Sequence, residues 1–116
     1  MTARPALQDL LPPHVACWET AGDAPDGSLH PEEAAGIRTA RPLRRAEFVT
    51  GRHCAHRAME RLGAPAAPVP RGVRGAPGWP AGIVGSITHC AGYRAAAVAR
   101  SGRVRAVGID AEPDLP

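Results

Sequence analysis

Between Pro42 and Gly63 the chain carries its most strongly periodic segment, and whatever it folds into must be built against that helix. Phe48, Gly51, Ala55, Met59 and Leu62 recur every three or four residues across Leu43–Leu62, which gathers them on one helical face. Gly63 supplies the C-terminal stop. Arg45 and Arg52, seven residues apart, stand nearly one above the other, and Arg44 lies about 80° round from Arg52 by the 3.6-residue period. All three arginines reach one region beside the apolar stripe.

The flanking segments are bounded by their own breakers. Residues 1–13 lead into a possible strand at His14–Glu19, and the Gly/Asp/Pro-rich stretch 21–28 reads as a loop. Ser28 or His30 opens a shorter helix with Pro31, Glu32 and Glu33 in its first turn, where carboxylates suit the positive end of the dipole, and Pro42 interrupts it. Downstream, Pro65, Pro68, Pro70, Pro77 and Pro80 predict a long ordered loop, a feature that in a small domain more often serves function than idles. Ile83–Thr88, Tyr93–Arg100 and Arg103–Asp110 read as strands, with Ser101-Gly102 as a hairpin turn. The expected fold class is α+β: an antiparallel meander packed on one long and one shorter helix.

At 116 residues there is room for one small domain, and a chain of this size buries roughly two thirds of its unfolded surface. Trp18, Phe48, Trp79 and Tyr93 are its whole aromatic complement, so the core rests on Ala, Val, Leu and Ile and benefits from contact with another domain or subunit. No apolar run approaches the ~20 residues of a membrane span, and the N-terminal residues do not resemble a signal peptide. Cys17, Cys54 and Cys90 show no CxxC spacing and fit a reduced, cytoplasmic setting.

The net charge of +3 is carried by arginine alone, since there is no lysine. That excludes a Schiff-base lysine, a lysine general acid or a P-loop lysine within these residues. Arginine stays protonated and fits phosphate oxygens with a planar fork, which favours static phosphate binding over proton transfer.

Asp110 and Glu112 are the first candidates for chemistry. On an extended strand, residues two apart face the same way, so both carboxylates project together, and a divalent cation with oxygen preference such as Mg²⁺ relieves their repulsion. Solvated charges at a strand end are the plainer reading of the pair alone. His89, ending the run Gly85-Ser86-Ile87-Thr88, could donate to a phosphate with Thr88 beside it, or be a satisfied turn histidine. Cys90 points away from His89 if both lie on a strand, which argues against a Cys/His nucleophile. His53, Cys54 and His56 resemble a zinc cluster only in composition, because no second ligand pair is spaced to close a tetrahedral site; ordinary helix-surface residues are expected there.

Arg44, Arg45, Arg52, Arg71 and Arg74 form the candidate anion-binding set, with a solvated basic face as the alternative. Nucleic-acid binding is disfavoured because aromatics are not interleaved with the basic residues. Gly72-x-x-Gly75 neither follows a strand nor has the spacing of a dinucleotide loop.

Taken in order, Gly72-x-Arg-Gly-x-Pro-x-Trp-Pro-x-Gly82, Gly85-Ser-x-Thr-His-Cys-Ala-Gly-Tyr-Arg94 and Val107-Gly-Ile-Asp-Ala-Glu-Pro113 resemble the 4'-phosphopantetheinyl transferases of the Sfp and enterobactin-synthase-component-D type, particularly their actinobacterial branch. The stretch from Arg44 to Ala55 fits the same branch. The resemblance is good from about Leu43 to Pro116 and looser before it.

The resemblance implies transfer of phosphopantetheine from coenzyme A to a serine of an acyl or peptidyl carrier protein, as in polyketide or siderophore biosynthesis. It would make Asp110 and Glu112 ligands of Mg²⁺ or Mn²⁺ on the coenzyme A pyrophosphate, and count them with His89 as the catalytic set. His89, Arg44 and Arg52 would hold the nucleotide phosphates. Arg71 and Arg74 occupy positions where relatives carry basic residues near coenzyme A, and Thr88 would sit beside it. Family members resemble two similar halves with coenzyme A between them, and a third motif, Trp/Phe-x-x-Lys-Glu-x-x-x-Lys, cannot occur in a chain without lysine.

Residues 1–106 therefore read as an N-terminal transferase half-domain and 107–116 as the first strand of a C-terminal half, with no activity expected of this chain alone. The short homotrimeric synthases are excluded because they place the Gly-Ile-Asp strand near the N-terminus. The expected partners are coenzyme A, a carrier protein, and a chain bearing the other half or a second copy in a self-paired dimer, with no nucleic acid and no membrane. The alternative is a non-catalytic half-domain that binds coenzyme A or another anion.

Overall fold

The computed structural model describes residues 11–12, 14–22, 29–90 and 93–101, with the backbone alone at Val73, His89 and Cys90. Its elements run β1 (Ala16–Thr20), α1 (Pro31–Ala34), a 3-10 turn (Ala35–Ile37), α2 (Pro42–Leu62), a second 3-10 turn (Val73–Gly75), β2 (Ile83–Cys90) and β3 (Tyr93–Arg100).

Helix α2 begins with Pro42 at a position where a missing N–H costs nothing. It stops at Gly63, whose φ of 84° is the left-handed conformation that glycine adopts without strain. There the N–H groups of Gly63 and Ala64 bond the carbonyls of Glu60 and Met59 at 3.0 Å. The stripe foreseen from periodicity is the buried one: Phe48, Gly51, Ala55 and Met59 are inaccessible, and Leu62 packs at the edge of the core.

The sheet order is β1-β3-β2, antiparallel throughout. Strand β3 is the middle strand, and its run Ala95–Ala99 is fully buried. Alternation sends Ala96 and Val98 toward α2, where they meet Cys54, Ala55, Ala58 and Met59, and sends Ala97 and Ala99 to the other face with Val15 and Cys17. Small side chains on β3 let the helix lie close. The absence of a side chain at Gly51 does the same on α2, since a Cβ there would lie 2.9 Å from Ile87 Cγ2.

The α+β class, the antiparallel sheet and the two helices of unequal length agree with the sequence reading. The short helix is only one turn and continues as a 3-10 turn to Ile37, ending before Pro42. The sheet is not laid down in chain order, because β1 pairs with β3. The last strand expected before the C-terminal half, Arg103–Asp110, lies outside the described residues, as does the strand expected at 107–116. Among the described residues no helix is long and apolar enough to cross a membrane.

The proline-rich segment from Ala64 to Pro80 is ordered by its own backbone bonds. Gly72 N–H donates to Ala76 O at 2.6 Å and Gly78 N–H to Pro70 O at 2.7 Å, closing a small loop around Arg71 and Arg74. The segment ends on Trp79, whose Nε1–H donates to Gly85 O on β2 at 3.1 Å.

Candidate functional site

Arg52 organises the arginine-bearing region. It is only 5% exposed, although its type is almost never buried unless paired. Its Nε donates to Val69 O at 2.7 Å, Nη2 reaches Pro70 O at 3.4 Å, and the guanidinium lies 4.1 Å from the centre of the Phe48 ring. Burial pulls its pKa down to about 10, the Glu33 carboxylate opposes that pull, and the nearby Arg44 guanidinium adds to it. Arg52 therefore stays charged at neutral pH, and the repulsion from Arg44 is of the kind that a bound anion relieves.

Arg44 stands exposed in the first turns of α2, with Glu47 Oε1 4.0 Å from its Nη1. An exposed pair at that distance holds the side chain only weakly. Arg45 is half-buried on the same stretch of helix. Arg71 directly follows the Val69 and Pro70 carbonyls that Arg52 bonds.

Two glycines clear a path for the Arg71 side chain. A Cβ on Gly36 would lie 3.2 Å from Arg71 Cβ, and one on Gly75 would lie 3.3 Å from Arg71 Nε. Arg74 is exposed and adopts a left-handed φ of 58°, unusual for a residue with a side chain and affordable only in a turn fixed by its neighbours.

Thr88 is half-buried near the end of β2. The pairing Thr88↔Ala95 places it on the sheet face shared with Ala97 and Ala99, away from α2, so it is not brought against Arg52. His89 falls on β2 opposite Arg94. Asp110 and Glu112 lie outside the described residues. Cys54 is fully buried and burial raises its thiol pKa to about 11, which leaves no thiolate for nucleophilic work at neutral pH.

One cluster departs from the sequence reading. Glu33, taken as a first-turn carboxylate, is fully buried, and His56, taken as an ordinary surface residue of α2, is bonded to it. His56 Nε2 lies 2.6 Å from Glu33 Oε2; that same oxygen accepts the Val69 N–H at 2.6 Å, and Oε1 accepts the His30 N–H at 2.9 Å. Burial would raise the carboxyl pKa, but the bonds from His56, Val69 and His30 outweigh it and hold the group below the usual carboxylate range.

The only local signal was that Glu33 falls at the third helical position, where a carboxylate can reach back to cap. Its other partners come from elements distant in sequence. His30, Glu33 and His56 could in kind ligate a cation, their donor atoms lying within 4.8 Å of one another. The direct 2.6 Å contact fills the facing lone pairs with a hydrogen bond, however, and a zinc ion needs about 2.0–2.2 Å to each ligand. The group is a hydrogen-bonded pair.

Helix, sheet and loop together define an α+β domain. The model of the 4'-phosphopantetheinyl transferase N-terminal domain matches residues 32–99, and the chain belongs to that family. It is 49% identical over 117 residues to the 4'-phosphopantetheinyl transferase PptT of Mycobacterium tuberculosis, covering 97% of this chain and 52% of that protein. To the 4'-phosphopantetheinyl transferase Svp of Streptomyces mobaraensis it is 51% identical over 110 residues, covering 92% of this chain and 45% of the other. The corresponding values for Npt of Nocardia iowensis are 47% over 107 residues, with 92% and 48% covered. The chain thus spans about half the length of the curated relatives it matches.

Proposed function

We propose that this chain supplies the coenzyme-A-binding half of a holo-carrier-protein synthase. The observation that carries the proposal is the buried Arg52 guanidinium, which has Arg44 nearby on α2 and bonds the Val69 and Pro70 carbonyls from which the Arg71–Arg74 turn departs, in a chain of this family. Arg44, Arg71 and Arg74 hold the 3'-phosphate and pyrophosphate oxygens of coenzyme A, aided by His89. Arg52 shapes that site from beneath. Residues 1–106 are the half-domain, and 107–116 bring Asp110 and Glu112 from the first strand of the second half.

Two carboxylates two residues apart form a hard-oxygen donor set that fits Mg²⁺ or Mn²⁺, which when bound would offset charge on the pyrophosphate. In the transfer, a serine oxygen of an acyl or peptidyl carrier protein bonds to the pantetheine-side phosphorus. The bond from that phosphorus to the bridging oxygen breaks, adenosine 3',5'-bisphosphate leaves, and the serine proton passes to a base. The arginines act by position and charge, stabilising the negative oxygens without exchanging protons. The transferase activity belongs to the assembled protein, with the remaining half of the relatives' length supplied in the same or another chain. A reduced cytoplasmic setting suits the buried thiols of Cys17 and Cys54, neither of which is in a disulfide.

Calorimetric titration with coenzyme A tests the site. Binding is expected to require Mg²⁺ and to weaken at least about tenfold in Asp110→Ala; metal-dependent binding that survives this substitution refutes the assignment. Transfer of a fluorescent coenzyme A arm to an apo carrier protein, with and without the second half, tests the activity. Labelling only when that half is present is the expected result. Coenzyme A binding without labelling in either case would establish instead a non-catalytic binding module.

A further inference from the structure

Val69 is gripped through both of its backbone polar groups. Its N–H donates to Glu33 at 2.6 Å and its carbonyl accepts from Arg52 at 2.7 Å. Glu33 also takes hydrogen bonds from His56 on α2 and from the backbone of His30 at the start of α1. Three segments far apart in sequence therefore meet at one fully buried carboxylate. The Val69 side chain packs in the core, but apolar contact is non-directional and would tolerate a rotated or slipped loop.

Packing is incomplete just upstream. A half-open cleft of about 280 Å³, bordered by His30, His56 and Met59 and by the exposed Glu60, Gly63 and Ala66, lies where the loop leaves α2. The directional bonds at Val69, more than close packing before it, fix where the chain goes next. It goes to Arg71, which lies over Gly36 in the 3-10 turn following α1, so the segment that holds Glu33 is also the one on which Arg71 is seated.

A buried, paired carboxylate is a poor route to stability alone, because apolar residues of similar volume often serve as well. Its distinctive product here is geometry. We propose that Glu33 and His56 form a positioning pair that sets the Arg71–Arg74 turn, and hence the presentation of Arg71 to the phosphates of coenzyme A. The ligand part of this inference rests on the function proposed above; the positioning part does not.

Limited trypsin digestion of the intact protein reads the turn directly, because cleavage after Arg71 and Arg74 reports local opening. Cleavage after Arg57 and Arg61, inside α2, serves as the internal reference. In Glu33→Gln, and in His56→Leu, loop cleavage is expected to rise about tenfold over that reference, with coenzyme A binding weakened by a similar factor. His56→Gln keeps an N–H that can reach Glu33 and is expected to stay within about twofold of the parent. If Glu33→Gln does not fold, the contrast between the two His56 variants decides.

Unchanged loop cleavage in variants with parental far-UV circular dichroism overturns the positioning pair. So does cleavage that rises equally at all four arginines, which would show a merely global role. Faster loop cleavage, combined with an Arg71→Ala variant that binds coenzyme A as the parent does, supports the positioning pair and removes the ligand reading.

Discussion

A glutamate with no solvent exposure, held ionised by an imidazole and two backbone N–H groups, ties the stability of this domain to pH in a defined direction. The folded pKa of Glu33 lies below its ordinary value, so the group contributes stability that is fully present above the unfolded carboxyl pKa. That contribution is lost as pH falls through the lower, folded value. The charged or titratable groups around it are His30, His56 and Arg52. Thermal midpoints of the parent and of Glu33→Gln should therefore differ most near neutral pH and converge in the acid range. A difference that stays constant across the titration would mean the carboxylate charge has no part in it. The residue-scale design was only partly legible in sequence. The helix carrying Arg44, Arg45 and Arg52 could be read from spacing, but the burial of Arg52 under the Val69–Pro70 carbonyls could not. The His56 partnership was not visible, because its other members sit on α1 and at Val69, and no local pattern links those positions.

At the scale of elements, α2 was readable almost in full, since Pro42, the apolar stripe and Gly63 each act within a few residues of where they stand. The sheet was readable as strands but not as an order: Ala16 pairs with Val98 across most of the chain, and period-two alternation says nothing about which strand lies beside which. The proline-rich segment was correctly expected to be ordered, though its docking onto β2 depends on a contact with Gly85 that spacing does not reveal. A Cβ at Gly85 would lie 2.7 Å from Trp79 Cζ2 and 2.8 Å from Ala97 O, and the carbonyl belongs to the middle strand and cannot step aside. Gly85→Ala should destabilise the domain by about 1–3 kcal/mol, the usual cost of overpacking. Gly22→Ala, which has nothing within 4 Å, should stay within about 0.5 kcal/mol of the parent. Denaturant midpoints measure both, and equal effects at the two positions would contradict the packing account.

On the scale of the whole molecule, the core is rich in alanine, which buries little area, and the chain spans about half the length of the relatives it matches. If coenzyme A lies between the two halves, as the proposed function has it, ligand binding and association of the halves are thermodynamically linked. Whatever factor coenzyme A with Mg²⁺ adds to the affinity of this chain for its second half, the second half must add to the affinity for coenzyme A. Such couplings are typically 5–150-fold, large enough to resolve. Sedimentation of the two halves with and without coenzyme A gives one factor, and calorimetric titration of coenzyme A with and without the second half gives the other. Equal factors well above one would place the ligand at the junction, with Arg44, Arg71 and Arg74 on one wall. An affinity for coenzyme A indifferent to the second half would confine the ligand to this domain, and the arginine face would then have to account for all of its binding.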